Sequence, residues 1–520
     1  MALADILAAP DADWVYLAVV ELASGTRRWS HGRIVSPRFG STTYQAEPYL
    51  RNPLNLSISI NPYEIGSGAG TSVGNIDVMW ESDQGMDALA RDFWEGAAIT
   101  LSLGLTTATI SSGFYPVFSG MVQDILFDDG RLSMVVRTPG WQLDAPLQTN
   151  KYAADGTAYE GSASLKDVPK PLVFGHVKNI TPVYVDDVVT GPIDLIYQVN
   201  DGAILAVDAV YAEGAALTAA TVPDSTNLPG WTPEAGKYQT DLSRGLFRLG
   251  SAPAGLGNVT CDARGVVGDA DAPFGFPQYV GEIARHIAKV RAGLVDADLD
   301  TASFDTLESE ETYQIGYYTG TQETTCIALL RKLLDASGAY LYFTGPGKLT
   351  VGQMRFRTAA LTVSQTEGQG LIRRIRKISN PLTMWKLKLG YDVNWTVQTN
   401  ESLAAAVRGT AHGDFVGVER RYVQSSLGSA VSSMSRQETQ DTFYVSGANA
   451  ATEATRRLGF WDSTFGVYEI ELAEVQFLIS VGSTIKIKYP RFGFESGLDL
   501  FVLGVMENAA TRVTTIQAFG

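Results

Sequence analysis

Cysteine and histidine, the side chains that most often carry nucleophilic chemistry, are scarce in this chain of 520 residues, which has two cysteines and four histidines. Cys326 stands at the start of a predicted helix, where the helix N-terminus can lower the pKa of a thiol. His412 follows it, so a cysteine nucleophile with a histidine base is one reading. Cys326 also fits the apolar stripe of its own helix, and we favour that structural role.

The histidines offer no metal site. None has a second ligand at the spacing of a zinc motif, and neither H-E-x-x-H nor C-x-x-C occurs. The four are His31, His176, His286 and His412. We expect His286 to be a solvated residue on a helix surface. The sequence therefore predicts no catalytic residue, no metal site and no cofactor.

An acidic segment, Val295–Asp300, resembles part of a calcium-binding loop. Asp296, Asp298 and Asp300 occupy the first, third and fifth positions. Thr301 stands where that loop needs glycine, and a bidentate glutamate is missing at the twelfth position. We therefore interpret the segment as a solvated linker.

Two further segments could in principle bind phosphate. Gly66–Thr71 is rich in glycine, but neither a lysine nor a helix follows it, so we interpret it as a turn. Ile372–Ile378 reads as a strand with a positive outer face. Its basic residues are Arg373, Arg374, Arg376 and Lys377. A phosphate site is open there, but a protein interface or protection of a sheet edge by charge is favoured.

Composition indicates a folded chain of several domains, since 45% of residues are hydrophobic and 18% are charged. The net charge of −16 disfavours sequence-specific binding of DNA or RNA. Two cysteines, Cys261 and Cys326, provide no disulfide framework. Neither a signal peptide nor a membrane span is recognisable, so we expect a soluble protein made in a cytosol.

Strand patterns dominate both ends of the chain. Trp14–Leu22 is a short apolar run, and Asn55–Asn61 alternates strictly between polar and apolar residues. Asp128–Gly130 reads as the turn of a hairpin. Near the other end, a strand is predicted to finish at Tyr489, and two more are joined by a three-residue loop at Asn508–Ala510.

Helical periodicity appears in the middle region and once later. Gln278–Leu294 carries one apolar stripe, formed by Val280, Ile283, Ile287 and Val290. Thr324–Ser337 carries a second stripe, and Gly338 stands at its C-terminal cap. Ala450–Leu458 predicts one more helix.

These patterns predict a mainly β, multidomain protein with serial barrel or sandwich domains and a smaller α+β insertion in the middle. The predicted units are an N-terminal β domain at 1–160, a small β subdomain at 161–270, an α+β domain at 271–378 and a C-terminal β domain at 379–520.

Several segments, taken in order, resemble tail proteins of long-tailed bacteriophages and gene transfer agents. A Lys-x-x-Pro-Lys-Pro segment leads to a Pro-Val-x-Val-Asp strand, followed by Tyr-Gln-Val-x-Asp-Gly and Val-Tyr-x-x-Gly. These are Lys166–Pro171, Pro182–Asp186, Tyr197–Gly202 and Val210–Gly214. The closing segment, Tyr489–Gly520, is similar to the final hairpin of the same family.

The resemblance implies a baseplate hub at the tail tip, without catalytic residues, that forms a trimer continuing a hexameric tube. It implies as partners the distal tail protein ring, the C-terminus of the tape-measure protein and tip, fibre or receptor-binding proteins. DNA would pass through the lumen, and no stable membrane insertion is expected. Related hubs use two tube-like β domains per chain, so the first and last β regions are candidates for that pair. Pro490–Gly493 repeats the letters of Pro37–Gly40, which agrees with such a duplication.

Three alternatives stay open. One is a receptor-binding or carbohydrate-binding tip protein that uses exposed aromatic residues such as Trp231. Another is a tail-associated peptidoglycan hydrolase with Cys326 as its nucleophile. The last is the neighbouring distal tail protein, which the α+β middle region fits less well.

Overall fold

The structure is a computed structural model. It describes residues 3–7, 14–32, 46–60, 70–79, 86–106, 113–155, 159–185, 194–253, 259–268, 275–364, 371–379, 383–427, 436–460, 465–473 and 477–520. Sheets dominate this part of the chain, and helices concentrate in its middle. The predicted fold class, mainly β and multidomain with a smaller α+β part, is confirmed.

In the first region, the described residues form nine strands and two short helices. They are α1 (Leu3–Leu7), β1 (Trp14–Leu22), β2 (Gly25–Ser30), β3 (Leu50–Asn52), β4 (Asn55–Ser59), β5 (Gly70–Val73), β6 (Ile76–Met79), α2 (Met86–Leu89), β7 (Ala98–Leu105), β8 (Phe114–Asp128) and β9 (Arg131–Arg137). The predicted strand at Trp14–Leu22 and the predicted turn after Asp128 are confirmed.

Seven of these strands form one sheet in the order β2-β1-β7-β8-β9-β6-β3. A parallel bridge between Trp29 of β2 and Glu47, just before β3, joins the two ends of the sheet. The sheet therefore closes into a barrel, here called the first barrel, whose interior is filled by inward-facing residues such as Tyr16, Leu101 and Phe118.

Nine strands follow in two five-stranded sheets. They are β10 (Val173–Ile180), β11 (Val183–Tyr184), β12 (Ile196–Gln198), β13 (Ile204–Ala212), β14 (Ala215–Ala216), β15 (Thr218–Asp224), β16 (Lys237–Asp241), β17 (Leu246–Leu249) and β18 (Val259–Val266). One sheet has the order β11-β12-β17-β16-β15, and the other contains β14, β13, β18 and β10 and ends on β19 of the next region.

The helical region packs three helices against short strands. Its elements are α3 (Val280–His286), α4 (Thr301–Glu310), β19 (Gly316–Tyr318), α5 (Cys326–Ala336), β20 (Ala339–Phe343) and β21 (Leu349–Gln353). Apolar faces of α3, α4 and α5 share one core with β20 and β21. Gly338 follows Ser337, the C-cap residue of α5, and has a φ of 64°, as expected of a glycine at this position.

The described part of the last region contains nine strands and two helices. They are β22 (Leu361–Ser364), β23 (Leu371–Ser379), β24 (Met384–Tyr391), α6 (Ala411–Val416), β25 (Arg421–Ser426), β26 (Arg436–Asp441), α7 (Gly447–Gly459), β27 (Val467–Ala473), β28 (Thr484–Lys488), β29 (Leu498–Asn508) and β30 (Val513–Phe519). Strands β25, β24 and β26 form a separate three-stranded sheet, here called the insertion sheet.

Six of these strands close into a second barrel. Its order is β22-β23-β27-β30-β29-β28, and β28 pairs with both β29 and β22. The hairpin of β4 and β5, although it comes from the first region, extends the same sheet by pairing with β29. A single buried apolar cluster consequently runs through both barrels.

Three local predictions were wrong. His286 is buried, with 5% of its surface exposed, and its ring meets Phe174 edge to face. Val290 is 58% exposed, because a π-helical turn at Ile287–Arg291 changes the phase of the stripe and Ala284 and Ala288 face the core instead. Asn508 pairs with Val513, so four residues rather than three join the last two strands.

Candidate assembly surface

Cys326 lies in the core of the helical region and not at a reactive surface. Its side chain is buried, and burial raises the pKa of the thiol to about 11. A catalytic thiolate needs a lowered pKa, so the position at the start of α5 does not activate this thiol. The interpretation of Cys326 as part of the apolar stripe is confirmed.

His412 lies in a different cluster. It stacks on Tyr211, with ring centroids 4.5 Å apart, and burial lowers the pKa of its imidazole. The ring of Phe415 is tilted towards it, with centroids 6.4 Å apart. Among the described contacts, none joins His412 to Cys326, so the two residues do not form a catalytic pair here.

The acidic and glycine-rich segments are used by the fold. Asp298 accepts a hydrogen bond from the amide of Val295 at 3.0 Å, and Asp296 pairs with Lys289 at 3.0 Å. In the part of the chain that is described, no three acidic, histidine or cysteine side chains are grouped to hold a metal. Most of Gly66–Thr71 lies outside the described residues, and its last two residues begin β5.

The basic run forms β23, as predicted, and two of its four basic residues lie opposite acids on the neighbouring strand β27. Arg376 pairs with Glu469 at 2.5 Å, and Arg374 lies 3.6 Å from Glu471. These cross-strand pairs between β23 and β27 offset the positive face. The arrangement favours a structural role over a phosphate site.

Two of the buried carboxylates have a pKa raised to about 7, and neither was anticipated from sequence. Glu507 on β29 accepts hydrogen bonds from Thr514 Oγ1 at 2.6 Å and from the amide of Phe477 at 2.8 Å, and burial raises its pKa to about 7. It stands in the wall of a cavity of about 390 Å³ between the barrels, which Leu56 and Ile58 of β4 also line. The only sequence signal is an acid at the end of the apolar run of β29.

The second carboxylate, Glu311, lies where the helical region meets α7. It accepts hydrogen bonds from Tyr444 Oη at 2.9 Å and Gln353 Nε2 at 2.7 Å, and burial raises its pKa to about 7. Glu453 of α7 contributes to that rise and is itself paired with the buried Arg457 at 2.7 Å. This junction is held by charge as well as by apolar packing.

The two barrels repeat the same hairpin. In β8–β9 and in β29–β30 a valine is followed by a bulge at the same distance from the turn. The paired residues are Val122–Val136 and Asp124–Val135 in the first hairpin, and Val502–Ala518 and Gly504–Gln517 in the second. The hairpins therefore correspond residue by residue up to the turn, with Leu126 equivalent to Met506.

The neighbouring strands repeat as well. Strand β6 pairs with β9 as β27 pairs with β30, and β3 joins β6 through a bulge that β23 reproduces against β27. The corresponding pairs are Leu50–Val78 with Asn52–Asp77, and Ile372–Leu472 with Arg374–Glu471. Five strands (β3, β6, β9, β8 and β7) thus match β23, β27, β30, β29 and β28 in order and direction. The chain contains a structural duplication.

Within the chain, the two barrels are joined through this repeated hairpin. Asn55–Ser59 of β4 pairs antiparallel with Gly504–Asn508, the outer half of β29. Leu56 and Ile58 are buried at this contact, and the amide of Ala509 donates to the carbonyl of Leu54 at 3.0 Å. A hairpin from one barrel therefore extends the edge of the other by strand addition.

Exposed aromatic residues on the surface include Trp231 and Phe93. Trp231, singled out from sequence, is 41% exposed after a short 3₁₀ turn at Leu228–Gly230. None of the helices in the described part of the chain has the length and apolar character that a membrane span requires.

No protein-family model and no curated protein matches the chain. Solved structures that it resembles include a 43 kDa tail protein of prophage MuSo2 from Shewanella oneidensis, at 11% identity and a TM-score of 0.39 over 96% of this chain and 98% of that one. A tail protein from Neisseria meningitidis MC58 has 9% identity and a TM-score of 0.37 over 97% and 96%. A chain of the virion of a native gene transfer agent particle has 14% identity and a TM-score of 0.41 over 72% and 88%.

Proposed function

We propose that this chain is a structural protein of a bacteriophage or gene-transfer-agent tail, which acts as a homotrimeric hub at the tail tip. The observation that carries the proposal is the duplicated barrel. A trimer of chains with two equivalent barrels presents six barrels in one ring, and can therefore match a hexameric tube. The segments that resemble hub proteins, Lys166–Pro171 through Val210–Gly214, support the same role.

The partners follow from this position. The distal tail protein ring would lie against one side of the trimer, and the C-terminus of the tape-measure protein would enter from the tube. Tip, fibre or receptor-binding proteins would attach to the outer surface. The location is the virion, at the tail tip, after assembly in the host cytoplasm.

The charge suits passage of DNA. Each chain carries −16, so three chains sum to −48. A trimer with this net charge disfavours binding of phosphate, so we expect DNA to slide through the lumen without being retained. We propose no enzymatic activity, since burial of Cys326 removes the strongest candidate nucleophile.

Light scattering over a range of protein concentrations tests the proposal, followed by electron microscopy of the same sample. We expect a species of about 168 kDa, three times 56.0 kDa, and particles with six densities around a channel. A strict monomer that binds host cells would contradict the hub and favour a receptor-binding protein with exposed residues such as Trp231.

A further inference from the structure

We propose that the outer half of β8, at Asp124–Leu126, pairs with the insertion sheet of a second copy of this chain. The inference deepens the proposed function and rests on it, because a ring of six barrels has two kinds of contact. One kind is present within the chain, where β4 covers β29. The other has to form between copies.

The outer half of β8 is the equivalent of the half of β29 that β4 covers. On the side away from β9, β7 accompanies β8 only to Met121, and the last bonds on this side join Gly96 and Ala97 to Val122. Among the residues that the structure describes, no strand lies alongside Asp124–Leu126 on that side. Strand β4 thus extends the edge of the second barrel, whereas no described strand extends the equivalent edge of the first barrel.

The backbone amides on the two edges differ accordingly. In the second barrel, the amide of Ala509 donates to Leu54 of the docked segment. Its equivalent, the amide of Asp129, donates to the carboxylate of Asp128 at 2.8 Å. The amide of Ile125 donates to the carboxylate of Asp124, also at 2.8 Å. Such local bonds substitute for interstrand bonds and can be exchanged for them when a strand docks.

Exposure of side chains is also alike at the two edges. Leu126 is 62% exposed, and its equivalent Met506, beside the docked β4, is 54% exposed. An apolar side chain is therefore kept at the same outward position in both hairpins. At Met506 it stands next to Ser57 of β4.

Chain order identifies the occupant. The hairpin β4–β5 lies between β3 and β6, and the equivalent interval, between β23 and β27, contains the insertion sheet and α7. In a closed ring of alternating barrels, the first barrel covers its own second barrel, and the second barrel covers the first barrel of the next copy. Strand β25 begins with Arg421, opposite in charge to the acids at Asp124 and Asp128.

Cysteine cross-linking tests this contact directly, because the native cysteines, Cys261 and Cys326, are both buried. Two double variants place one cysteine at Leu126→Cys and the other on an exposed outer strand, at Gln424→Cys of β25 or Thr439→Cys of β26. After mild oxidation, at least one pair should give covalent dimers and trimers on a non-reducing gel.

The duplicate supplies matched controls. Met506→Cys, combined with the same partner cysteine, is similarly exposed but lies on an edge that β4 already covers. Copies that carry this pair should therefore not cross-link to one another. Met506→Cys with Ser57→Cys should form a bond within one chain, since these residues lie opposite one another.

The mass of the reduced, unlinked protein separates the two proposals. A trimer in which neither Leu126 pair cross-links would overturn this contact and leave the hub standing. A monomer at every concentration, without cross-links, would overturn both. Equal cross-linking by the Met506 control would show random collision and overturn the contact.

Discussion

Gly96 and Gly482 occupy the same place in the two barrels. Each donates its amide to the carbonyl of the valine before the bulge, at 2.9 Å to Val122 and 2.8 Å to Val502. Their φ angles of 79° and 84° lie in the left-handed region, where residues with a Cβ are strained.

The two glycines should differ in how costly an alanine is. A Cβ at Gly96 would meet only Met121 Cε, at 3.9 Å, whereas a Cβ at Gly482 would overlap Tyr340 Oη. We expect Gly96→Ala to lower the free energy of unfolding by about 1 to 2 kcal/mol. Gly482→Ala should cost about 2 to 5 kcal/mol, because overpacking is added. Urea unfolding of both variants checks this, and equal losses would contradict it.

The protonation of Glu507 should make stability depend on pH. Its pKa is raised to about 7 in the fold, so the folded state binds a proton more tightly than the unfolded chain. That contribution is fully present below about pH 4.3, the unfolded value, and is lost as pH rises through 7. At pH 8 the free energy of unfolding of Glu507→Gln should therefore exceed that of the native chain by up to about 3 kcal/mol. At pH 4 the two should differ little.

Unfolding of Glu507→Gln and the native chain at several pH values measures this difference. Glu495→Gln, an exposed acid near β29, is the control and should change nothing. A constant difference between Glu507→Gln and the native chain across the pH range would refute the assignment.

The ion pair of Glu453 and Arg457 should be essential to the junction at α7. Arg457 is buried and also donates to the carbonyl of Ala336 at 2.7 Å. Glu453→Ala would leave the positive charge of Arg457 buried without its carboxylate partner. We expect the free energy of unfolding to fall by about 3 to 5 kcal/mol. Thr452→Ser, exposed on the same helix, should stay within about 0.5 kcal/mol. Denaturant unfolding compares them, and a loss below 1 kcal/mol for Glu453→Ala would contradict a fully buried pair.

The thiols should be inert in the folded protein. Burial raises the pKa of both Cys261 and Cys326, so neither is a thiolate at pH 8. A chromogenic disulfide reagent should react slowly with the native protein. After denaturation it should react readily with both thiols. Rapid native reaction that disappears in Cys326→Ala would restore the nucleophile hypothesis.

Sequence patterns located elements well where one face is buried. The apolar run at Trp14–Leu22 and the alternation from Asn55 correspond to β1 and β4, because burial imposes a period of two on a strand. The apolar stripe of α5 was predicted equally well. The stripe of α3 was misread at Val290, because a π-helical turn has a different period from the helix that precedes it.

The family resemblance made the first and last β regions candidates for a duplicated pair, but their residue-by-residue correspondence is seen only in the structure. It resides in hydrogen-bond register and bulge position, which sequences such as Asp124–Asp128 and Gly504–Asn508 do not share. The repeated letters Pro-Arg-Phe-Gly do not mark it. Pro490–Gly493 lies between β28 and β29, whereas Pro37–Gly40 comes between β2 and β3 in the chain and lies outside the described residues. The domain boundaries predicted from sequence stay predictions. The hairpin β4–β5 of the first region pairs with β29 of the last region.

The pairing of β4 with β29 has a consequence for biosynthesis. Their partner residues are about 450 positions apart, and a ribosome adds roughly 5 to 20 residues per second. Leu56 and Ile58 are therefore synthesised roughly 20 to 90 s before β29, the strand that buries them. During that interval the nascent chain presents an apolar edge open to other strands, and slower elongation should increase its aggregation.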